Sequence, residues 1–133
     1  MSAPAKDMRD ILVAAGVGQS GGEAAWGIFY PNEPSVPHEC VTIRDTGGQS
    51  PEYLLDGTTH ANPSVQIRVR ARDYDAGFAK CKEIEAALGG RAPETANGTP
   101  YAGFWQTGST NHIGADAQER PIFTLNFRLV RQE

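Results

Sequence analysis

Residues 62–90 read NPSVQIRVRARDYDAGFAKCKEIEAALGG, a strand running directly into a helix. Val65, Ile67, Val69 and Ala71 alternate with Gln66, Arg68, Arg70 and Arg72. That period of two gives a strand one apolar and one cationic face. At Asp73 the period changes. Tyr74, Phe78, Cys81, Ile84 or Glu85, and Leu88 advance in steps of three and four, which lays an apolar stripe along one side of a helix. Asp73 is placed to cap that helix and Asp75 to favour its positive end, while Gly89-Gly90 supplies a left-handed stop. The strand and the helix can cover each other's apolar sides, so this pair is expected to form the core. It carries no catalytic signature.

On the N-terminal side, residues 4–15 read as a short helix, with Met8, Ile11, Leu12 and Ala15 on one face, Pro4 near the start and Gly16 at the end. The run GVGQSGG at 16–22 is expected to be a flexible turn; it lacks the Lys-Ser/Thr ending of a phosphate cradle. Residues 24–30 suit a strand with Trp26, Ile28 and Tyr30 on one face. Pro31, Pro34 and Pro37 then break the chain, and 38–44 forms a second strand. Their short connection predicts a hairpin. From Asp45 to Asn62 the chain is rich in turn formers and reads as a long loop with one apolar island, Tyr53-Leu54-Leu55. Long loops in compact folds are often functional. Either Leu54 and Leu55 pin this one to the core, or it orders against a partner.

On the C-terminal side, RAPETANGTP at 91–100 reads as a polar loop. Residues 101–113 suit a strand with a glycine interruption, 114–121 a turn, and 122–131 the clearest strand of the chain. There Phe123, Leu125, Phe127 and Leu129 face one way, and Thr124, Asn126 and Arg128 the other. The last two runs form a hairpin. The expected class is α+β: a mostly antiparallel sheet with one major helix and a short N-terminal helix packed on one face, in a single domain spanning 1–133.

Composition narrows the function. The 133 residues carry a net charge of −4, which argues against a general nucleic-acid binder. No apolar run approaches the ~20 residues of a membrane-spanning helix, and MSAPAKDMRD has no apolar signal core. Cys40 and Cys81 read as small buried thiols, which suits folding in a reducing cytoplasm. His38, His60 and His112 lack metal-site spacing; His38 and Cys40 share a side of a strand but have no companions. Ser20, Ser50 and Ser109 lack the setting of an esterase nucleophile, and Glu83 and Glu85 read as the solvated side of the helix. No catalytic, cofactor or metal site is expected. The feature left over is the basic strip of Arg68, Arg70 and Arg72, which Arg128 joins if the last strand lies in the same sheet. Arginine favours interfaces held by directional hydrogen bonds, so a subunit interface is preferred over a solvated sheet face or a nucleic-acid site.

Three features give the chain a resemblance to the tail terminator (tail completion, or minor capsid) proteins of long-tailed bacteriophages. The run P-x-V-Q-I-x-V-R leads into D-Y-D-A-G and an amphipathic helix ending L-G-G, at Pro63–Gly90. An aromatic stretch follows at Tyr101–Gln106, and R-P-x-F-T-L-N-F-R closes the chain at Arg120–Arg128. Residues 45–62 lie outside the resemblance. It implies a non-enzymatic virion protein at the head-proximal end of the tail, assembled in the host cytoplasm. Such a protein forms a homo-oligomeric ring, a hexamer, on a finished tail tube. It would contact the tube protein on one side and a head–tail connector or stopper protein on the other. DNA would pass through without sequence-specific binding, and no membrane would be involved. The candidate partner-contact loop is Tyr53, Leu54 and Leu55; the candidate subunit interface is Arg68, Arg70, Arg72 and Arg128. Two other readings are a neighbouring neck or connector protein, and a ligand-binding or enzymatic domain with an aromatic pocket near Trp26, Trp105 and His112.

Overall fold

A computed structural model describes residues 1–22, 24–89, 91 and 93–133. The first helix, α1 (Pro4–Ala14), begins with proline at its first turn and buries Met8, Ile11 and Leu12. It stops as the sequence suggests: Gly16 is left-handed, its amide donates to Val13 O, and the Val17 amide donates to Leu12 O. Those two bonds satisfy carbonyls that a helix end otherwise leaves unpaired. The second helix, α2 (Tyr74–Leu88), is capped by Asp73, whose Oδ1 accepts from Ala76 N at 2.8 Å. At Gly89 its stop differs from the expected left-handed turn. Gly89 is extended, at φ −67°, and Gly90 lies outside the described residues. Arg91 serves this end, with its guanidinium donating to Ala87 O.

The strands are β1 (Gln19–Ser20), β2 (Gly27–Phe29), β3 (Cys40–Tyr53), β4 (Thr59–Arg70), β5 (Glu94–Ala96), β6 (Thr99–Gln106), β7 (Asn111–Ala115) and β8 (Pro121–Gln132). They form one sheet in the order β1-β2-β3-β4-β8-β6-β5, with β7 also paired to β8. The class is α+β and the sheet mostly antiparallel, as read from the sequence. Both helices pack on one face, where Val41, Ile43, Val65, Ile67, Val69, Phe123, Leu125, Phe127 and Leu129 are buried. β6 and β7 lie end to end along β8, separated by a break at Thr107–Thr110 in which Gly108 is left-handed. This is the glycine-interrupted strand and hairpin that the last third of the sequence predicts.

Five local readings are corrected. First, 24–30 and 38–44 do not make a hairpin, because β2 and β3 run parallel. Parallel neighbours need a crossover, and residues 30–39 provide it. Second, 16–22 holds the buried Val17 and the two residues of β1 rather than a free turn. Third, 45–62 is not a loop but most of a long two-stranded arm, β3 and β4, paired out to Tyr53 and Thr59. Its turn formers sit at bulges, between Asp45 and Gly47 and between Gln49 and Glu52, which let a strand continue with a kink. Gly48 is required there: a Cβ would lie 2.2 Å from Asn62 O. Fourth, 91–100 contains a hairpin between β5 and β6, turned by Asn97 and Gly98, both at positive φ. Asn-Gly is a strong hairpin signal. Fifth, the buried side of α2 is Gly77, Lys80, Cys81, Ile84 and Leu88, whereas Tyr74 and Phe78 are exposed. Gly77 sets that rotation, since it lets the helix close onto Phe123.

Candidate interaction surfaces

The strict alternation of β4 does place Arg68 and Arg70 on the face of the sheet away from the helices. Their partners, however, are within the chain. Arg70 is buried and donates to Pro34 O at 2.7 Å, Pro37 O at 2.6 Å and His38 O at 3.2 Å. Arg68 Nε lies 3.3 Å from Glu33 Oε1, an ion pair without the alignment of a hydrogen bond. Arg72, just past the strand, pairs with Glu39 at 2.5 Å. Arg120 adds a bond to Ser35 O and a contact with His38 Nδ1. Together these cations hold the 30–39 crossover across one half of the outer face. The crossover's carbonyls, invisible to a charge count, are what Arg70 answers.

Arg128 stands apart on the other, open half. Cross-strand neighbours share a face, and the register sets Trp105 opposite Arg128 and Arg128 opposite Ser64. One row over, Asn126 faces Gln66 and Gln66 faces Arg44. The Trp105 ring lies over Gly103, where a Cβ would come 2.7 Å from it. Arg128 sits above the same ring, 5.1 Å from its centroid. Trp105 remains 45% exposed. Among the described residues neither Arg128 nor Arg44 pairs with a carboxylate. A tryptophan held flat beneath an unpaired arginine on an open sheet is the kind of anchor that protein interfaces use. The spacing Gly103-x-Trp105 is the signal in the sequence, because residues two apart in a strand share a face.

The arm presents a second surface. Beyond Thr42, β3 has no strand on its outer edge, and residues 44–57 are exposed. At the tip, Tyr53 is 80% exposed and Leu55 fully so, with Leu54 also exposed. Leu54 and Leu55 therefore do not pin this segment to the core. The tip is nevertheless ordered: Leu54 N donates to Thr58 O, Gly57 N to Leu54 O, and Asp56 accepts from the Thr58 amide and hydroxyl. The Thr58 hydroxyl, then its amide, hold the Asp56 carboxyl below the usual carboxylate range. The arm's base is tied to α1 through Asp45 Oδ1, which accepts from Ala5 N at 2.9 Å.

The remaining ionisable groups are structural. Asp7 is fully buried; Tyr101 donates to its Oδ2 at 2.5 Å and Asn97 to its Oδ1 at 2.7 Å. Arg131 completes the cluster with bonds to Tyr101 Oη and Ser2 O. Burial and the bond to Asp7 push the Tyr101 phenol up. Lys80 donates to Val17 O at 2.7 Å and lies over Trp26, so it clips the α1–β1 turn to α2. Glu85, read as solvated, instead accepts from Thr110 and Gln106 and pairs with Lys82. Glu83 is the more exposed of the two and pairs with Lys80. Both cysteines are buried and free, and burial, then Glu85, pushes the Cys81 thiol up to about 12.

Trp26, Trp105 and His112 share no pocket. Trp105 is on the outer face, whereas His112 packs against Tyr74 and Phe123 on the helix face of β7, and Trp26 lies beside β2 at the far edge. A hollow of about 390 Å³ is lined by Ala25, Val36, Pro37, His38, Glu39 and Arg72, none of them from that trio.

The profile described as bacteriophage tail terminator protein matches residues 11–133. The chain belongs to that family. A comparison with curated proteins gives no match. The tail terminator family is structural, and its members belong to the virion tail. The match takes in the sheet, α2 and the whole arm, including the segment that the sequence resemblance left out. In this tail terminator the arm tip and the open half of the sheet are exposed.

Proposed function

We propose that this tail terminator forms a homo-oligomeric ring, a hexamer, on the head-proximal end of a finished tail tube. The ring stops tube polymerisation and offers the surface to which the DNA-filled head attaches. Its partners are the tube protein below and a head–tail connector or stopper above, and assembly takes place in the host cytoplasm. The observation that carries this reading is the projecting arm, joined to the family membership. A folded chain has no internal use for an ordered two-stranded arm that ends in exposed Tyr53, Leu54 and Leu55. A ring requires two different surfaces on each subunit, and the arm tip and the Trp105–Arg128 face are different surfaces. Arg68, Arg70 and Arg72 enter as supports of the crossover, with Arg128 as the strip's one open interface residue. The net charge of −4 suits a channel that DNA crosses without sequence-specific binding. Termination follows if the ring binds the last tube layer while its top face offers nothing that a tube subunit recognises.

The test is electron microscopy of particles made after deleting the gene from its source phage or prophage, with the purified protein added back. Headless, overlong tubes restored to normal length establish termination. Tails of normal length that fail to join heads move the assignment to a connector. Normal infectious particles overturn both.

A further inference from the structure

We propose that the arm tip of one copy docks on the open outer face of a second copy, with Tyr53, Leu54 and Leu55 seated beside Trp105 and Glu52 and Asp56 meeting Arg128 and Arg44. This rests on the ring reading for its head-to-tail sense, and it names the arm's partner: another copy of this chain, rather than tube or connector.

Charge complementarity selects that occupant. From Asp45 to Ile67 the chain carries Asp45, Glu52 and Asp56 but no lysine or arginine. Asp45 is engaged at the base by Ala5 N; of the two carboxylates that flank the tip, Asp56 accepts from Thr58 through Oδ1, and among the described residues neither Glu52 nor Asp56 forms an ion pair. On the open face Arg128 lacks a carboxylate partner among the described residues, with Trp105 and the uncharged Ser64, Gln66 and Asn126 around it; Arg44, at the border with the crossover, donates Nε to Pro31 O and likewise has no carboxylate partner. An acidic-rimmed apolar tip and a basic-rimmed aromatic face answer each other in both charge and polarity. Another exposed apolar patch, Tyr74 and Phe78 on α2, has Asp73 and Asp75 at its N-terminal end and a single cation, Lys82, over Phe78, itself paired with Glu85. It offers the acidic tip less complementary charge than Arg128 does.

The contact cannot form within one chain. The last arm pair, Tyr53 with Thr59, lies five residues along β4 from Ser64, which neighbours Arg128. At ~3.3 Å per residue, that carries the tip roughly 17 Å away from the face along a paired strand. Two separate surfaces on each copy give a heterologous contact, the kind from which a ring is built when its rotation closes.

The test uses tails assembled in the deletion background from chains carrying Leu55→Cys and Asn126→Cys, treated with a short bis-maleimide. Cys40 and Cys81 are buried and stay silent. The expected result is a ladder of covalent multiples of the 14.3 kDa chain, absent from either single variant. Cross-linking of Leu55→Cys to tube or connector protein, or no ladder, overturns the proposal. A charge test runs alongside, with melting curves to show that each variant folds. Arg128→Glu should lose at least tenfold in tail-length restoration, and adding Glu52→Arg and Asp56→Arg should recover it. Full restoration by Arg128→Glu alone overturns the arm contact while leaving the ring reading standing. Normal tails after gene deletion sink the ring reading itself.

Discussion

At Gly77 two tendencies oppose. Alanine in place of glycine inside a helix ordinarily stabilises by roughly 1 kcal/mol. Here a Cβ would lie 2.4 Å from the Phe123 ring and 3.1 Å from Ala71. Overpacking of that kind costs ~1–3 kcal/mol, so Gly77→Ala is expected to lower the urea midpoint rather than raise it. Glu85 shows a second residue-scale effect. Its hydrogen bond from Thr110, with lesser help from Gln106 and Lys82, holds its carboxyl below the ordinary glutamate value of 4.5. The ionised form is the one favoured by the fold, so its contribution is complete above the unfolded value and is lost as pH falls through the folded one. Glu85→Ala should cost about 1 kcal/mol at pH 7. The gap to wild type should narrow as pH falls below the ordinary value of 4.5 and on through the lower folded value, as read by thermal melts across pH. A gap unchanged at acid pH would mean that packing, not the carboxylate, holds the β6–β7 break to α2.

Between elements, the decisive contact is Arg70 with the crossover. The proline-broken segment 30–39 has little regular structure of its own and is fastened by one guanidinium to three carbonyls. Arg70→Met keeps the stem and removes the donors. We expect it to cost about 3 kcal/mol and to expose 31–39 to limited proteolysis while the fold persists. Protection equal to wild type would show that the cation is dispensable. The arm behaves in the opposite way. Its tip touches no core residue, so replacing residues 54–58 by Asn-Gly is expected to shift Tm by no more than ~2 °C. A large loss of Tm would mean that the tip supports the fold and is not held for a partner.

Across the whole molecule, one sheet runs from β1 to β8, and both helices share its apolar face. The core therefore spans elements from both ends of the chain, bolted by the Asp7–Tyr101–Arg131 cluster. We expect unfolding in a single step, with far-ultraviolet circular dichroism and tryptophan fluorescence tracing the same urea transition. Separate transitions would divide the chain into more than one folding unit.

Local periodicity was enough to determine the inward face of Val65, Ile67 and Val69, the presence of α2 after them, the inward face of β8, the Asp73 cap and the α+β class. Each of these is set by neighbours two to four residues apart. The Asn97-Gly98 hairpin was equally local and equally available. The parallel β2–β3 pairing was decided only in three dimensions, because strand direction depends on where a crossover can lie. Gly47 and Gly48 read as a loop on composition, yet a partner strand turned them into bulges of an arm. The arginine strip was visible as alternation. Which of its members are satisfied was not, since Arg70 answers backbone carbonyls more than thirty residues away. Arg128 is open because the crossover stops short of it. Burial and pairing over such distances arise from packing, and no spacing along the chain encodes them.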